Sequence, residues 1–556
     1  MTGARFIAET LKGYGVSHVF FMESILRLSL VEMEELGIRR ILTHSEAAAA
    51  YMADGYARAG GRPGVCMAQS VGAANLAAGL QDAYLGRSPV IAITGRKPPL
   101  AQHRNAYQEI SHASLFASVT RYAASAAAAE QLPFLLPQVF REATAETPRP
   151  VYLEVAGLMG EFIERAEAPM KVHVERRNMC CPAHRLAPEP DLIEEACERL
   201  ANSARPVIVA GRGARVSSAA AELRTLAEDY SIPVAYALDG KSLLPDTHPA
   251  CVGVVGSYSA KSANRVVSEA DLVVFVGCDT GDQATFDWQV PGPGTAVIQI
   301  DADSTEPGRN YPSALPVLGD PKLALRALIE ALPRAVNRQA WLHHVQSIVE
   351  EWNQELAEPA ASDATPIRVE RLCAEITRRL PADAVLVSDT GYSGIWSGTM
   401  IRMTSESQLY LRSAGTLGWA FPASLGAKCA LPYRPVVCFT GDGGFYYHLS
   451  ELETAARWRI PTVTVVNNNS GFGQCLIPVE RVYGSRAGKP SDLTGFSKVN
   501  FARIAEDLGC RGIRVEHPDE IGPALDTALG ANGPTVIDVV TDPRPRAPAP
   551  LAPGAR

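Results

Sequence analysis

Short, almost wholly apolar runs rich in Val and Ile recur along this chain: PVIAIT (89–94), PVYLEV (150–155), PVIVAG (206–211), DLVVFVG (271–277), AVIQID (296–301), AVLVSD (384–389), PVVCFTGD (435–442), TVTVVNN (462–468) and PTVIDVV (534–540). Each is bounded by Gly, Pro or Asp, and the stretches between them carry helical spacing. A strand that is apolar on both faces must be covered on both, which points to parallel sheets with helices above and below. The expected fold class is α/β, with three doubly wound parallel-sheet domains at about 1–165, 190–332 and 366–543. Residues 163–192 and 333–366, interrupted by proline, read as linkers, the second carrying an amphipathic helix from Trp341 to Leu356. The Pro-rich tail 543–556 reads as a frayed end.

A chain of 556 residues, 47% hydrophobic and 20% charged, has ample material for several cores. Its 52 Lys and Arg against 60 Asp and Glu leave a net charge of −8, which speaks against a protein built to grip nucleic acid or an anionic bilayer. No apolar run is long enough to span a membrane, and the N-terminus lacks the basic start and apolar run of a secretory signal. The 11 cysteines fall at irregular spacings with no CxxC, the usage of a reducing compartment. A soluble cytoplasmic protein without a zinc site is the expectation.

The strongest chemical signal is GDGGFYYHLSELETAARWRIPTVTVVNNNSGFG, residues 441–473. One strand delivers Gly441-Asp442-Gly443-Gly444 at its carboxyl end, a helix is predicted from about Tyr446 to Trp458, and a second strand delivers Asn467-Asn468-Asn469. Ligands of open parallel sheets gather at such strand ends. Glycines let the backbone approach a diphosphate, and a helix N-terminus offers it N–H groups. A carboxylate and a carboxamide brought together there are the hard oxygen ligands that Mg²⁺ prefers. Alone, Asp-Gly is a turn and Asn-Asn a loop; at two adjacent strand ends they make a site. A second signal is Glu46, in the first turn of a helix that Ser45 could cap and that runs to about Arg58.

Residues 441–473 resemble the magnesium–thiamine diphosphate signature, which opens with GDG and closes with NN. Glu451, Pro461, Phe472 and Gly473 extend the match to the acetolactate synthase branch of the thiamine diphosphate-dependent enzymes. The resemblance covers nearly the whole chain, in the order pyrimidine-binding, middle and diphosphate-binding domain. It implies thiamine diphosphate and Mg²⁺ as cofactors, with Asp442, the Asn469 side chain and the Gly471 carbonyl on the metal and Gly441, Gly443 and Gly444 around the diphosphate. The segment ILTHSEAAAAYMADGYARAGGRPGV resembles the family stretch whose glutamate precedes a glycine by nine residues, here Glu46 and Gly55. That glutamate faces N1′ of the aminopyrimidine, where sharing a proton favours the tautomer whose N4′ deprotonates C2. A carboxyl in an apolar pocket readily holds such a proton.

SAGTLGWAFPASLGAKCALP (413–432) is similar to the family segment in which a bulky residue wedges the cofactor rings into a V. That similarity makes Leu417 the wedge and the Gly415 carbonyl an acceptor for N4′. SDTGYSGIW (388–396) is similar to a diphosphate-contacting segment: Gly391 fits, while Tyr392 and Ser393 replace its Gln-His. Tyr107-Gln108-Glu109 matches a Phe-Gln-Glu whose glutamine faces the reacting carbonyl, so Gln108 joins Glu46 as a catalytic candidate. The middle segment resembles the domain that in some relatives holds FAD or ADP and in others is empty. Its GRGAR (211–215) lacks the third glycine of a dinucleotide fingerprint and DGKS (239–242) is no P-loop; Asp301, at a strand end, is the candidate for an adenosine ribose hydroxyl.

Departures from the family gather at substrate-facing positions. Phe20-Phe21-Met22-Glu23-Ser24-Ile25 stands where the family has FGIPGG, Ile477-Pro478-Val479 where acetolactate synthases carry a Trp, and Tyr51 where the family has His. Cofactor machinery is kept while pocket walls are rebuilt, and fold with cofactor does not fix the substrate. The activity implied is thiamine diphosphate- and Mg²⁺-dependent carboligation of 2-oxo acids after decarboxylation of the donor. A 2-hydroxyacyl-CoA lyase and a 2-oxo acid decarboxylase are the alternatives. An inactive assembly partner is the distant one, against which intact Glu46, Asp442 and Asn469 speak. The implied partners are a small-molecule 2-oxo acid or 2-hydroxyacyl substrate and further copies of the chain. These copies form a homodimer or homotetramer in which Glu46 of one chain meets Asp442 of the other.

Overall fold

The computed structural model describes residues 1–333 and 338–551, and among these the strands form three six-stranded sheets whose pairings are all parallel. The first holds β1 (His18–Phe21), β2 (Arg39–Leu42), β3 (Gly64–Ala68), β4 (Val90–Arg96), β5 (Tyr122–Ala126) and β6 (Val151–Ala156), in the order β2-β1-β3-β4-β6-β5. The second holds β7 (Pro206–Ala210), β8 (Val234–Tyr236), β9 (Cys251–Val254), β10 (Leu272–Val276), β11 (Ala296–Asp301) and β12 (Leu315–Leu318), in the order β12-β11-β10-β7-β8-β9. The third holds β13 (Val385–Ser388), β14 (Leu409–Arg412), β15 (Val436–Gly441), β16 (Val463–Asn468), β17 (Arg511–Val515) and β18 (Thr535–Val540), in the order β14-β13-β15-β16-β18-β17.

The α/β class read from the apolar runs is the one found, because strands such as β3, β6, β7 and β10 are buried along their whole length. The first and third sheets repeat one strand order, whereas the middle sheet has the order of dinucleotide-binding folds. Winding direction reverses between β1 and β3, between β7 and β10, and between β13 and β15. The carboxyl edge at each reversal is where an open α/β sheet leaves a crevice.

Helix Glu46–Gly60 starts where the Ser45 hydroxyl accepts from the Ala48 N–H at 3.1 Å, and stops at Gly61, whose φ of +61° suits glycine. Its sequence is mostly Ala and Gly because it crosses helix Ala420–Ala430 at close range. A Cβ at Gly55 would strike the Ala423 backbone, and one at Gly426 the Met52 carbonyl. The first and third units therefore share one core, containing Met52, Tyr56, Trp419, Phe421 and Leu425. The middle unit closes its own core with helix Gln339–Ala360, which seats Trp341, Val345, Ile348 and Trp352.

Two elements differ from expectation. Instead of one helix over 446–458, a short helix opens at Asp442 itself (Asp442–Phe445), tightens into a 3₁₀ turn at Tyr446–His448 and resumes at Glu451–Arg457. The Asp442 carboxylate starts it by accepting from the Gly443 N–H at 2.9 Å. Nor is the tail frayed over 543–551. Ala547 is buried in the cluster of Leu238, Val254 and Trp396, and Asn264 Nδ2 donates to the Leu551 carbonyl at 3.3 Å. Prolines suit such a seat because they bring no N–H to satisfy. Residues 334–337 of the second linker and 552–556 of the tail lie outside the described residues.

Burial holds His18 and His448 neutral, each pushed down to about 4, with Arg39 and Arg62 adding to the effect at His18. In the unfolded chain both titrate near 6.5. Their contribution to stability is therefore complete above about pH 6.5 and declines as pH falls towards 4, by at most about 1.4 kcal/mol per pH unit each. Urea unfolding at pH 7 and pH 5 checks this: His448→Gln should lose less stability on acidification than the wild type does.

Candidate active site

The carboxyl ends of β13, β15 and β16 converge on a cleft of about 330 Å³ at the winding reversal of the third sheet. Gly391, Ser393, Gly415, Leu417, Gly441, Asp442, Gly443, Gly444, Asn469 and Gly471, the positions assigned to the cofactor from sequence, all line it. Tyr392, which stands beside Ser393 in place of the family's Gln-His, lines it too.

The three consecutive asparagines have separate fates. Asn467 Oδ1 accepts from the Thr541 hydroxyl at 2.6 Å, and Asn468 Nδ2 donates to Asp538 at 2.9 Å and to the Val499 carbonyl at 3.0 Å. Asn469 alone of the three keeps a buried carboxamide oxygen with no partner. Across the cleft Asp442 is almost fully buried; it accepts from the Gly443 N–H and, 29 residues on, from the Gly471 N–H at 3.0 Å. Burial pushes its carboxyl up to about 7, and the backbone N–H groups only partly offset that. An orphaned amide oxygen, a desolvated carboxylate and the neighbouring Gly471 carbonyl are an oxygen donor set in want of a cation. The set fits Mg²⁺, which takes few protein ligands and fills its shell with phosphate oxygens.

Asp389 was not singled out from sequence, although it too is a carboxylate at a strand end. It is buried, pushed up to about 6 by that burial, and accepts from the Thr390 N–H (2.8 Å), the Gly418 N–H (3.1 Å) and the Thr440 hydroxyl (3.0 Å). It thereby pins together the three loops that bear Gly391, Leu417 and Gly441. Tyr258, from the middle unit, also lines the cleft, and no local pattern could have revealed it.

Glu46 and Gln108 do not line this cleft. Both follow strands of the first sheet at its carboxyl edge, and each touches segment 69–72. Glu46 Oε2 accepts from Asn75 Nδ2 at 3.1 Å, and its Oε1 lies 2.5 Å from where a Cβ on Gly72 would fall, so a larger residue there would push the Glu46 carboxylate aside. The Gln108 carbonyl accepts from the Ser70 hydroxyl at 2.9 Å, and Glu109 is paired with Arg96 at 3.1 Å. The departing loop after β1 ends on the same edge, where Glu23 and Arg27 form an exposed ion pair at 2.6 Å. Arg27 lowers the Glu23 carboxyl to about 2, aided by Ser24. Of the other departures, Tyr51 is buried edge-on against His448, with ring centroids 5.3 Å apart. Ile477-Pro478-Val479 lie in helix Gly473–Tyr483, which buries none of its residues.

In the middle unit, the crevice between β7 and β10 is lined by Arg87, Arg212, Asp279 and Asp301, and it adjoins a larger cleft of about 320 Å³ bordered by Arg58, Arg215 and Arg412. Gly211, Gly213 and Gly277 pack backbone to backbone, so the GRG turn serves packing rather than a phosphate cradle. Arg212 Nε is buried without a partner, and burial pushes its guanidinium down to about 10. Burial likewise pushes Asp301 up to about 7.

Comparison with known proteins gives three matched segments: "Thiamine pyrophosphate enzyme, N-terminal TPP binding domain" at residues 1–115, "central domain" at 193–328 and "C-terminal TPP binding domain" at 389–539. A probable acetolactate synthase large subunit of Methanocaldococcus jannaschii is 33% identical over 100% of this chain and 94% of its own length. The acetolactate synthase isozyme 2 large subunit of Escherichia coli is 29% identical over 98% and 96%. A putative thiamine pyrophosphate-containing protein of Bacillus subtilis, YdaP, is 28% identical over 100% and 94%.

The fates of the asparagines separate by mutation. Asn469→Ala should weaken Mg²⁺-supported thiamine diphosphate binding by on the order of 10–100-fold in titration calorimetry. Asn468→Ala, which takes the amide donor from Asp538 Oδ1 while the Phe501 N–H and Arg514 still hold Oδ2, should instead cost about 1–3 kcal/mol of stability in urea unfolding.

Proposed function

Because the chain belongs to the thiamine pyrophosphate enzymes, and within them to the acetolactate synthase family, we propose that the third-unit cleft holds thiamine diphosphate with Mg²⁺ and that pyruvate is the donor. The protein is an enzyme of carbon–carbon bond formation, acting by carboligation of 2-oxo acids. The lyase and decarboxylase alternatives are not favoured by full-length similarity to acetolactate synthases, nor is an inactive assembly partner by an intact donor set. The observation that carries the cofactor reading is the unpartnered Asn469 oxygen and the buried Asp442 in one cleft lined by all the expected cofactor positions.

Asp442, Asn469 and the Gly471 carbonyl hold the metal, and Gly441, Gly443 and Gly444 bring backbone to the diphosphate. Bound thiamine diphosphate supplies the electron sink that lets a 2-oxo acid lose CO₂. With the cofactor bound, Glu46 would hold a proton at N1′ of the aminopyrimidine, Leu417 would pack as the wedge against its rings, and the Gly415 carbonyl would accept from N4′. Gln108 faces the reacting carbonyl. Because Glu46 and Gln108 stand apart from the Asp442 cleft in one chain, the complete site forms between two copies, in a homodimer or homotetramer. The division of the chain near 1–165, 190–332 and 366–543 is supported by the three sheets and the three matched segments. The middle crevice, with Arg212 Nε unpartnered and Asp301 at a strand end, takes the phosphates and ribose of an adenine nucleotide, either ADP or FAD. A cytoplasmic location is supported by cysteines at irregular spacings with no CxxC, the usage of a reducing compartment.

The test is pyruvate turnover with Mg²⁺ and thiamine diphosphate, products identified by mass. Wild type should form acetolactate, and Glu46→Ala should lose at least about 100-fold in rate while still binding the cofactor. Cofactor binding without pyruvate consumption would sink the donor assignment and direct attention to the Glu23–Arg27 loop. On the same unstripped preparation an absorbance scan distinguishes FAD, which brings flavin bands, from ADP, which does not.

A further inference from the structure

The loop that carries Gly415 and Leu417 is held by the first unit. Asp82, in helix Ala73–Leu85, reaches across the shared core and accepts from the Ala414 N–H (2.9 Å), the Thr416 N–H (3.1 Å) and the Ser413 hydroxyl (2.8 Å). The Ser413 oxygen in turn accepts from the Gly415 N–H at 3.1 Å. Asp82 is completely buried, and its charge is balanced by Arg58 at 2.8 Å. Arg58 is also paired with Asp54 at 2.6 Å, donates to the Arg412 carbonyl at 2.8 Å and lies over the Trp419 ring at 4.7 Å. Burial opposes its charge, but Asp54 and Asp82 outweigh that and raise its pKa.

We propose that Asp82 is a positioning residue for the wedge loop: with Arg58 as counter-ion, this first-unit carboxylate fixes segment 413–417 and so sets where Leu417 and the Gly415 carbonyl stand in the cleft. The inference rests on the reading of that cleft as the thiamine diphosphate site. Its physical core is that the loop's exposed end is glycine-rich and open. Gly415 is exposed, and a Cβ there would meet nothing within 4 Å, so packing does not fix it. Directed hydrogen bonds to a charged acceptor are the restraint available, and such bonds are about twice as strong as neutral ones. Asp389 restrains the far side of the loop through the Gly418 N–H, leaving Gly415 and Leu417 suspended between two buried carboxylates. Arg58 stands at the end of the helix that begins with Glu46, so the same counter-ion ties the proton-holding helix to the wedge loop.

Hydrogen–deuterium exchange on the cofactor-free protein reads the restraint directly. In Asp82→Asn, the amides of 413–418 should exchange on the order of tenfold faster or more, with middle-unit strands unchanged. In the loaded enzyme kcat for pyruvate should fall on the order of 10–100-fold while KM stays within about twofold, the mark of a misplaced group rather than a weakened substrate site. Ser413→Ala removes a donor from the loop and leaves the Asp82–Arg58 pair intact, so it answers the same question if Asp82→Asn does not fold. It should shift exchange and kcat in the same directions, each about severalfold. Unchanged exchange, or faster exchange with unaltered kcat, overturns the proposal. A wild type that neither binds thiamine diphosphate nor consumes pyruvate would overturn the reading of the site instead, and the exchange of 413–418 would still decide whether Asp82 holds the loop.

Discussion

A single buried guanidinium, Arg58, shared between two fully buried carboxylates, is where the first and third units of this protein are locked together. Charges removed from water are costly, and they persist in a core only when paired and hydrogen-bonded on every side. Here the pairing is complete. Asp54 also takes the Trp419 indole N–H at 2.9 Å, and Asp82 takes backbone N–H groups of a loop more than three hundred residues away in sequence. Taking away one member of such a cluster strands the others, which typically costs about 3–5 kcal/mol. The Ala- and Gly-rich crossing of helices Glu46–Gly60 and Ala420–Ala430 is what brings these groups within reach.

That lock gives two sheets of identical strand order different tasks. The third sheet gathers Asp442, Asn469 and a glycine-lined cleft at its winding reversal. The first gathers Glu46 and Gln108 at its own carboxyl edge, with Asn75 on the carboxylate and the Arg96–Glu109 pair beside the glutamine. Glu46 and Gln108 do not line the Asp442 cleft of their own chain, the observation on which the proposed site between copies rests. The middle unit, with its different strand order and a crevice lined by Arg87 and Arg212, lends Tyr258 to the cleft.

Charge placement follows from burial throughout. Asp389, Asp442 and Asp301 all end strands in desolvated positions, and all are pushed well above the usual carboxylate range. They differ in what meets them. Asp389 is satisfied by two backbone N–H groups and a hydroxyl, so it braces loops. Asp442 accepts from two backbone N–H groups but, among the described residues, from no hydroxyl, and it lines a cleft that also holds the unpartnered Asn469 oxygen. Similar carboxylates at equivalent topological positions thus meet different surroundings.

The amino-acid sequence alone determined the α/β class, because strands apolar on both faces leave few other ways to be covered. It also marked Asp442, the asparagine run and Glu46, because strand ends and helix caps are local signals that one short window contains. Family resemblance picked Asn469 out of the run, but nothing local explains the choice, since Asp538 and Thr541, which occupy Asn468 and Asn467, arrive some seventy residues later. The sequence missed Asp389 as a brace and Asp82 as an anchor, since neither does anything recognisable until another part of the chain packs against it. It also misjudged the tail, whose prolines suggest fraying but whose Ala547 finds an apolar seat only after the middle and third units meet. Local chemistry is written in adjacent residues. Which buried groups are left without partners, and hence which ones act, is decided only when distant segments are brought into contact.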